Sequence, residues 1–148
     1  MQEYGSQPEK IRLMTSEYVF LTLNTLFFIP WVVLFTSKKP AFVHWRDKPS
    51  PLSVMALLYG GLIIYSIFLN GGLTNMFDFA LLKKSFQQDE VMILGWLHYL
   101  IFDLFVGIHV QNRIYMYSAP TRVSILVLCL MLGPLGYFFY VVHTYFRS

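Results

Sequence analysis

Apolar residues do not alternate with polar ones along this chain. They come in long unbroken runs with short charged segments between them. Twenty uncharged residues, YVFLTLNTLFFIPWVVLFTS, lie between Glu17 and Lys38. At about 1.5 Å per residue, such a run crosses a ~30 Å hydrocarbon layer as a helix. No charge occurs from Pro49 to Phe77, and PLSVMALLYGGLIIYSIFL, residues 51–69, is the continuously apolar part. Val91 to Asn112 holds one formal charge, Asp103, and Val123 to Phe146 holds none. The runs predict spans over residues 17–37, 51–69, 91–111 and 122–146. They are apolar on every face, unlike barrel strands, whose lipid and lumen sides alternate. A helix also satisfies its own backbone where lipid offers no partner.

The first run is too long for a secretory signal and leads into the basic stretch KKPAFVHWRDK, so it reads as a retained anchor. Residues 1–16 form a short polar lead without transit-peptide character. Segment 70–90, NGGLTNMFDFALLKKSFQQDE, opens on a glycine turn. Apolar residues at Met76, Phe77, Phe79, Ala80, Leu81 and Leu82 then precede Lys83-Lys84, which predicts a short amphipathic helix at the interface. The expected fold is all-α: an integral membrane four-helix bundle with a short interfacial helix between spans two and three. Residues 1–148 form one multi-pass transmembrane domain.

Composition agrees. The chain is 56% hydrophobic, 18% aromatic and 13% charged, which leaves little from which to build a soluble domain. A net charge of +3 spread over short connections gives no warrant for nucleic-acid binding. A single Cys129 inside the fourth run excludes an internal disulfide and a cysteine-based zinc site, and reads as a packing residue. Four spans would put both ends of the chain on one side. Lys10, Arg12, Lys83, Lys84 and Arg147 then oppose Lys38, Lys39, Arg46, Lys48, Arg113 and Arg122, and five against six leaves the orientation open.

The polar groups inside the spans carry the candidate chemistry. Entering from the side of the termini, Asn24 and His98 lie about 10 Å deep and Asp103 about 18 Å deep. GPLG, residues 133–136, falls level with Asp103 on a span running the other way, with Tyr137 and Tyr140 between that level and His98. Proline there removes an N–H and frees the carbonyl of Leu130, predicting a kink with an acceptor for a protonated carboxyl; Pro30 is a second, shaping kink. On the third span, one stripe carries Trp96, Tyr99, Asp103 and Val110, and another carries His98, Phe102, Phe105 and His109. With both stripes buried the helix must be central, and the aspartate and histidine would approach one cavity from its two sides. His98 and Asp103 as interhelical hydrogen-bonding groups would contribute about 1 kcal/mol. An aspartate near the midplane costs about 2.5–3.5 kcal/mol to insert, and the imbalance favours function. His44, His109 and His143 read as loop or interfacial residues.

GWLHYLIFDLFVG, residues 95–107, a later span ending GPLGYFFYVV, LNTLFFIPW in the first span and the GG…LLKKSF segment together resemble the abscisic-acid-deficient-four-like family, the neoxanthin-synthase-like membrane proteins. The resemblance covers nearly the whole chain from about residue 17. It implies a membrane protein of xanthophyll metabolism, in a bacterial inner membrane or a plastid-type membrane, in plants tied to neoxanthin formation from violaxanthin. Opening a 5,6-epoxide to an allenic alcohol is redox-neutral: one group protonates the epoxide oxygen and another removes a proton from the polyene. Asp103, kept protonated by its dry surroundings, would be the acid and neutral His98 the base. No nicotinamide, flavin or metal motif is present, and this chemistry needs no cofactor. Asn24, Trp96, Tyr99, Phe102, Tyr137 and Tyr140 would line a site for a hydrophobic polyene such as a carotenoid, entering from membrane lipid.

Two other classes stay open. In one the chain would be a non-catalytic carotenoid or lipid binder, as a homo-oligomer or as an accessory subunit of a membrane complex. Alternatively His98 and His143 would be the axial ligands of a b-type haem.

Overall fold

The computed structural model describes residues 7–42, 51–69 and 77–146, with the backbone alone at 7–13, 51 and 69. The glycine turn expected near residues 70–73, and His44, lie outside them. The described residues form six helices: α1 Gln7–Thr36, α2 Pro51–Leu69, α3 Phe79–Ser85, α4 Asp89–Ile114, α5 Ala119–Leu132 and α6 Pro134–Tyr145. No strand occurs among them. Met14–Thr36 and Asp89–Ile114 are long and apolar enough to cross a membrane, while Leu52–Phe68 and Ala119–Leu132 are shorter apolar helices.

α4 is the axis of the fold, packed by α1, α2, α5 and α6. Its buried positions include Leu97, Leu100, Leu104, Gly107, Gln111 and Ile114, a spacing of alternating threes and fours that forms one seam. α1 lies on this seam and runs parallel to α4. Phe27, Trp31 and Leu34 are buried, and Trp31 packs so tightly on Gly107 that a Cβ there would fall 2.9 Å from the indole Cζ3. A second clamp sits at the end of α1. Gln111 is 0% exposed; its Oε1 accepts from the Ala41 amide at 2.9 Å and its Nε2 donates to the Lys39 carbonyl at 3.0 Å. α2 runs antiparallel to α4 on another side, with the Tyr59 ring 5.4 Å from that of His98.

The aromatic stripes of α4 are not buried. Trp96, Phe102 and Phe105 are each nearly half exposed, Tyr99 more so, and His98 is exposed as well. The helix is central, as expected, but through its leucine and glycine seam. Small and branched aliphatic side chains allow helices to approach closely, which pushes bulky rings outward.

The expected fourth span is not one helix. The chain reverses at Gly133, and α6 folds back along α5 as a tight antiparallel pair. A Cβ on Gly136 would fall 2.6 Å from the Cα of Cys129, seven residues earlier, whereas a continuous helix separates such positions by about 10 Å. The far ends of the pair confirm the reversal, because the rings of Tyr117, before α5, and His143, late in α6, lie 5.3 Å apart. GPLG is therefore the tip of a hairpin. Proline at the first position of α6 has no N–H to lose, and the glycines let the two backbones touch. Tyr137 and Tyr140 move accordingly: they lie toward the Ile114 end of α4, with Tyr137 5.9 Å from His109, and not toward His98.

The short helix between spans two and three is present as α3. The Asp78 carboxylate caps it, accepting from the amides of Ala80 at 2.8 Å and Leu81 at 3.0 Å. No α3 residue is buried, and Phe77 and Phe79 are almost fully exposed.

Candidate functional site

The polar residues of α4 are distributed among its neighbours. Toward α1, the indole Nε1 of Trp96 donates to Asn24 Oδ1 at 3.0 Å, while Asn24 Nδ2 donates back to the Phe20 carbonyl at 2.8 Å. Phe20 stacks at a tilt on Trp96, 5.9 Å between centroids. Toward α2, His98 is flanked by Tyr59 at 5.4 Å and by Tyr99 at 6.4 Å. Toward the hairpin, the Asp103 carboxyl lies on Gly133, and a Cβ on that glycine would overlap Oδ1. Further along, His109 meets Tyr137, which meets Tyr140 at 5.8 Å.

Asn24 and Trp96 are thus brought together, as are Tyr137 and Tyr140. His98 and Asp103 are not: one belongs to the α2 side and the other to the hairpin tip. Five residues of helix place them about 7.5 Å apart along the axis and about 140° around it. Phe102 and Tyr99 point outward from α4. His98 lies in the first half of α4 and His143 beyond its Ile114 end, separated by more than about 20 Å of helix, so the two cannot ligate one iron. No group of three or more His, Cys, Asp or Glu side chains converges among the described residues.

A cavity of about 550 Å³ lies elsewhere, between α1, α2 and the start of α4. Its outer part carries Thr15, Ser16, Gln88 and Glu90. Leu23, Leu62 and Leu94 form its inner part. The paired groups lie just beyond: Asn24 follows Leu23, and Tyr59 and His98 lie about one turn past Leu62 and Leu94. A smaller cavity of about 190 Å³ at the other end is bounded by Leu52, Phe105, His109, Asn112 and Arg113.

Several contributors escaped sequence reasoning. Gln111 reads as a helix-end polar residue but is fully buried, and its place in the leucine seam was the available signal. Arg122 is 7% exposed and donates from an Nη to the Tyr115 carbonyl at 3.1 Å, fastening the turn between α4 and α5. Gly107 carried no signal beyond its small size.

No curated protein and no solved structure matches the chain. A family model does match, over residues 18–140, which include the Asn24–Trp96 pair, both cavities' α4 residues and the hairpin tip. The chain is a member of the ABA DEFICIENT 4-like family.

Proposed function

We propose that this is a multi-pass membrane protein that acts on xanthophylls by opening a 5,6-epoxide end ring to an allenic alcohol. Family membership, and with it a general neoxanthin-synthase-like relationship, is the observation that carries this reading. α1, α2 and α4 cross the bilayer, α5 and α6 enter and return as a re-entrant pair, and α3 lies at the interface. Asp103 delivers the proton to the epoxide oxygen as the carbon–oxygen bond opens. His98 takes up the proton lost from the polyene, so atoms and charge balance without an oxidant or reductant. Asn24, Trp96, Tyr99, Phe102, Tyr137 and Tyr140 guide the polyene.

The test is expression in a host that accumulates epoxy-xanthophylls, followed by chromatography of the pigments. Conversion by the parent chain, lost in both His98→Ala and Asp103→Asn, is the expected result. Retained conversion in either variant removes that residue from the chemistry.

A second reading is favoured by one observation, the separation of His98 and Asp103 onto different neighbours. On this reading the protein holds a carotenoid without converting it, alone or within a membrane complex. Pigment that co-purifies unchanged identifies this case.

A further inference from the structure

Charge is unevenly placed along the bundle. Gln111 ties the Lys39 carbonyl to the far end of α4, and Arg122 reaches the same end through the carbonyl of Tyr115. Arg113 stands there already, in the last turn of α4. Lys38, Lys39, Arg113 and Arg122 thus gather at the Ile114 end, and no described acidic residue joins them. Glu9, Glu17, Asp78, Asp89 and Glu90 belong to the opposite end of the bundle, and Asp103 to the middle of α4. The connection 43–50, outside the described residues, carries Arg46 and Lys48 against Asp47 in its sequence.

The cavity of about 190 Å³ opens at this cationic end, between the end of α1, the start of α2 and the last turns of α4. Leu52, Phe105 and Ile108 are among its apolar walls, and His109, Asn112 and Arg113 are its described polar ones. The fold leaves two of these polar groups unanswered. Asn112 Oδ1 is shut off from solvent and has no hydrogen-bond partner, although buried acceptors normally find one. Arg113 pairs with no described carboxylate; its Nη1 donates back to the His109 carbonyl at 3.2 Å, which keeps the guanidinium beside the cavity. The positive end of the α2 dipole lies here too, and the first turn of α2 holds no acidic residue to meet it.

Size and charge together select the occupant. A cavity of about 190 Å³ is smaller than the ~300–1,000 Å³ that encloses a whole small molecule, so the ligand inserts a polar end and keeps its bulk outside. A guanidinium matches the geometry of a phosphate, and basic pockets between spans suit acidic lipid headgroups. We infer that this cavity seats the headgroup of an anionic phospholipid with a hydroxylated head, of the phosphatidylglycerol kind. Arg113 pairs with the phosphate, a headgroup hydroxyl donates to Asn112 Oδ1, and the acyl chains leave over the half-exposed ring of Phe105. The site rests on the membrane placement proposed above and uses no residue of the isomerisation.

The experiment uses the full chain, purified in detergent and incubated with an equal mixture of phosphatidylglycerol and phosphatidylcholine bearing the same acyl chains. Bound lipid is extracted after gel filtration and quantified by mass spectrometry. Phosphatidylglycerol should exceed phosphatidylcholine at least fivefold and should stay bound in excess inorganic phosphate. Arg113→Gln and Asn112→Leu should each lower that preference at least fivefold. Lys38→Gln removes the same charge from an exposed position at the same end and should leave it within twofold. Because the fold gives Asn112 Oδ1 no partner, Asn112→Leu should keep the parent's melting temperature in lipid-free detergent, which separates lost binding from lost folding. Elution volume and helical circular dichroism do the same for Arg113→Gln. Equal retention of the two lipids, or an undiminished preference in Arg113→Gln or Asn112→Leu, overturns the site. An equal loss in Lys38→Gln overturns it in favour of a diffuse basic surface, and a lowered melting temperature in Asn112→Leu makes that amide structural and overturns its role. Displacement by inorganic phosphate makes a free anion, and not a lipid, the ligand. Pigment conversion, followed in the same variants, tests the xanthophyll reading separately, and failure of lipid selectivity leaves that reading standing.

Discussion

Gly136 lies against the backbone of Cys129, so close that no side chain fits between them. The contact is to main-chain atoms, which cannot rotate away as a flexible side chain would. It holds α5 and α6 together and places the reversal at Gly133 beside Asp103.

Gly136→Leu should therefore lower the melting temperature of the detergent-solubilised protein sharply, at or above the upper end of the ~1–3 kcal/mol typical of overpacking. Gly60→Ala should behave oppositely. Nothing lies within 4 Å of the added Cβ, and replacing a helix-interior glycine contributes about 0.5–1 kcal/mol. A continuous fourth helix would tolerate Gly136→Leu, and a small effect there would argue against the hairpin.

Asp103 can be tested for its proton apart from its shape. Asp103→Asn preserves size beside Gly133, so thermal stability should stay near that of the parent. Pigment conversion should fall by about 10²–10⁴-fold if the carboxyl is the acid. Asp103→Leu, which adds branched bulk toward Gly133, should lose stability as well. Conversion that survives in Asp103→Asn would confine this residue to holding the hairpin tip.

Gln111→Leu removes the acceptor for the Ala41 amide and the donor to the Lys39 carbonyl. Leaving that amide without a partner should destabilise the protein by about 1–3 kcal/mol and release the end of α1. Trypsin cleavage after Lys38, timed on gels, should accelerate; the following Lys39–Pro40 bond is a poor trypsin site and will not confuse the pattern. An unchanged cleavage rate would mean that other contacts hold this segment.

The hairpin also changes the count of cations that orients a membrane protein. On the proposed topology, with α6 returning, Arg147 would join Lys38, Lys39, Arg46, Lys48, Arg113 and Arg122 on one side, against Lys10, Arg12, Lys83 and Lys84. Seven against four favours the first group inside. Met116→Cys and Phe146→Cys should then be shielded from an impermeant maleimide in intact cells, while Phe77→Cys should label; all three positions are exposed, and the native Cys129 is buried. Labelling at Phe146→Cys with shielding at Met116→Cys would restore a full fourth crossing.

How much of this was legible in the sequence depends on what each run had to distinguish. Helices α1, α2 and α4 follow from length and apolarity alone, and α3 from the apolar cluster ahead of Lys83-Lys84. Which face of α4 turns inward was harder to read, because almost every position is apolar and polarity supplies no contrast. The repeat through Leu97, Leu100, Leu104 and Gly107 is present, but aromatic residues at comparable spacing offer an equally apolar face. GPLG carried a break without saying how far the chain turns. A kink and a reversal both bring Gly133 level with Asp103 but part company beyond it, and the Gly136–Cys129 and Tyr117–His143 contacts separate them. The candidate site suffered most from this. The register of the runs put Asp103 level with GPLG, and its carboxyl does lie on Gly133, yet level says nothing about which neighbour each side chain meets.

One result of the reversal concerns synthesis. If α5 and α6 form the proposed re-entrant pair, they leave the bilayer on the face by which they entered, so residues 119–146 need not be carried across by the insertion machinery. On that proposed topology the described helices cross an odd number of times, and a reporter fused after Phe146 would stay on the side that holds Met116.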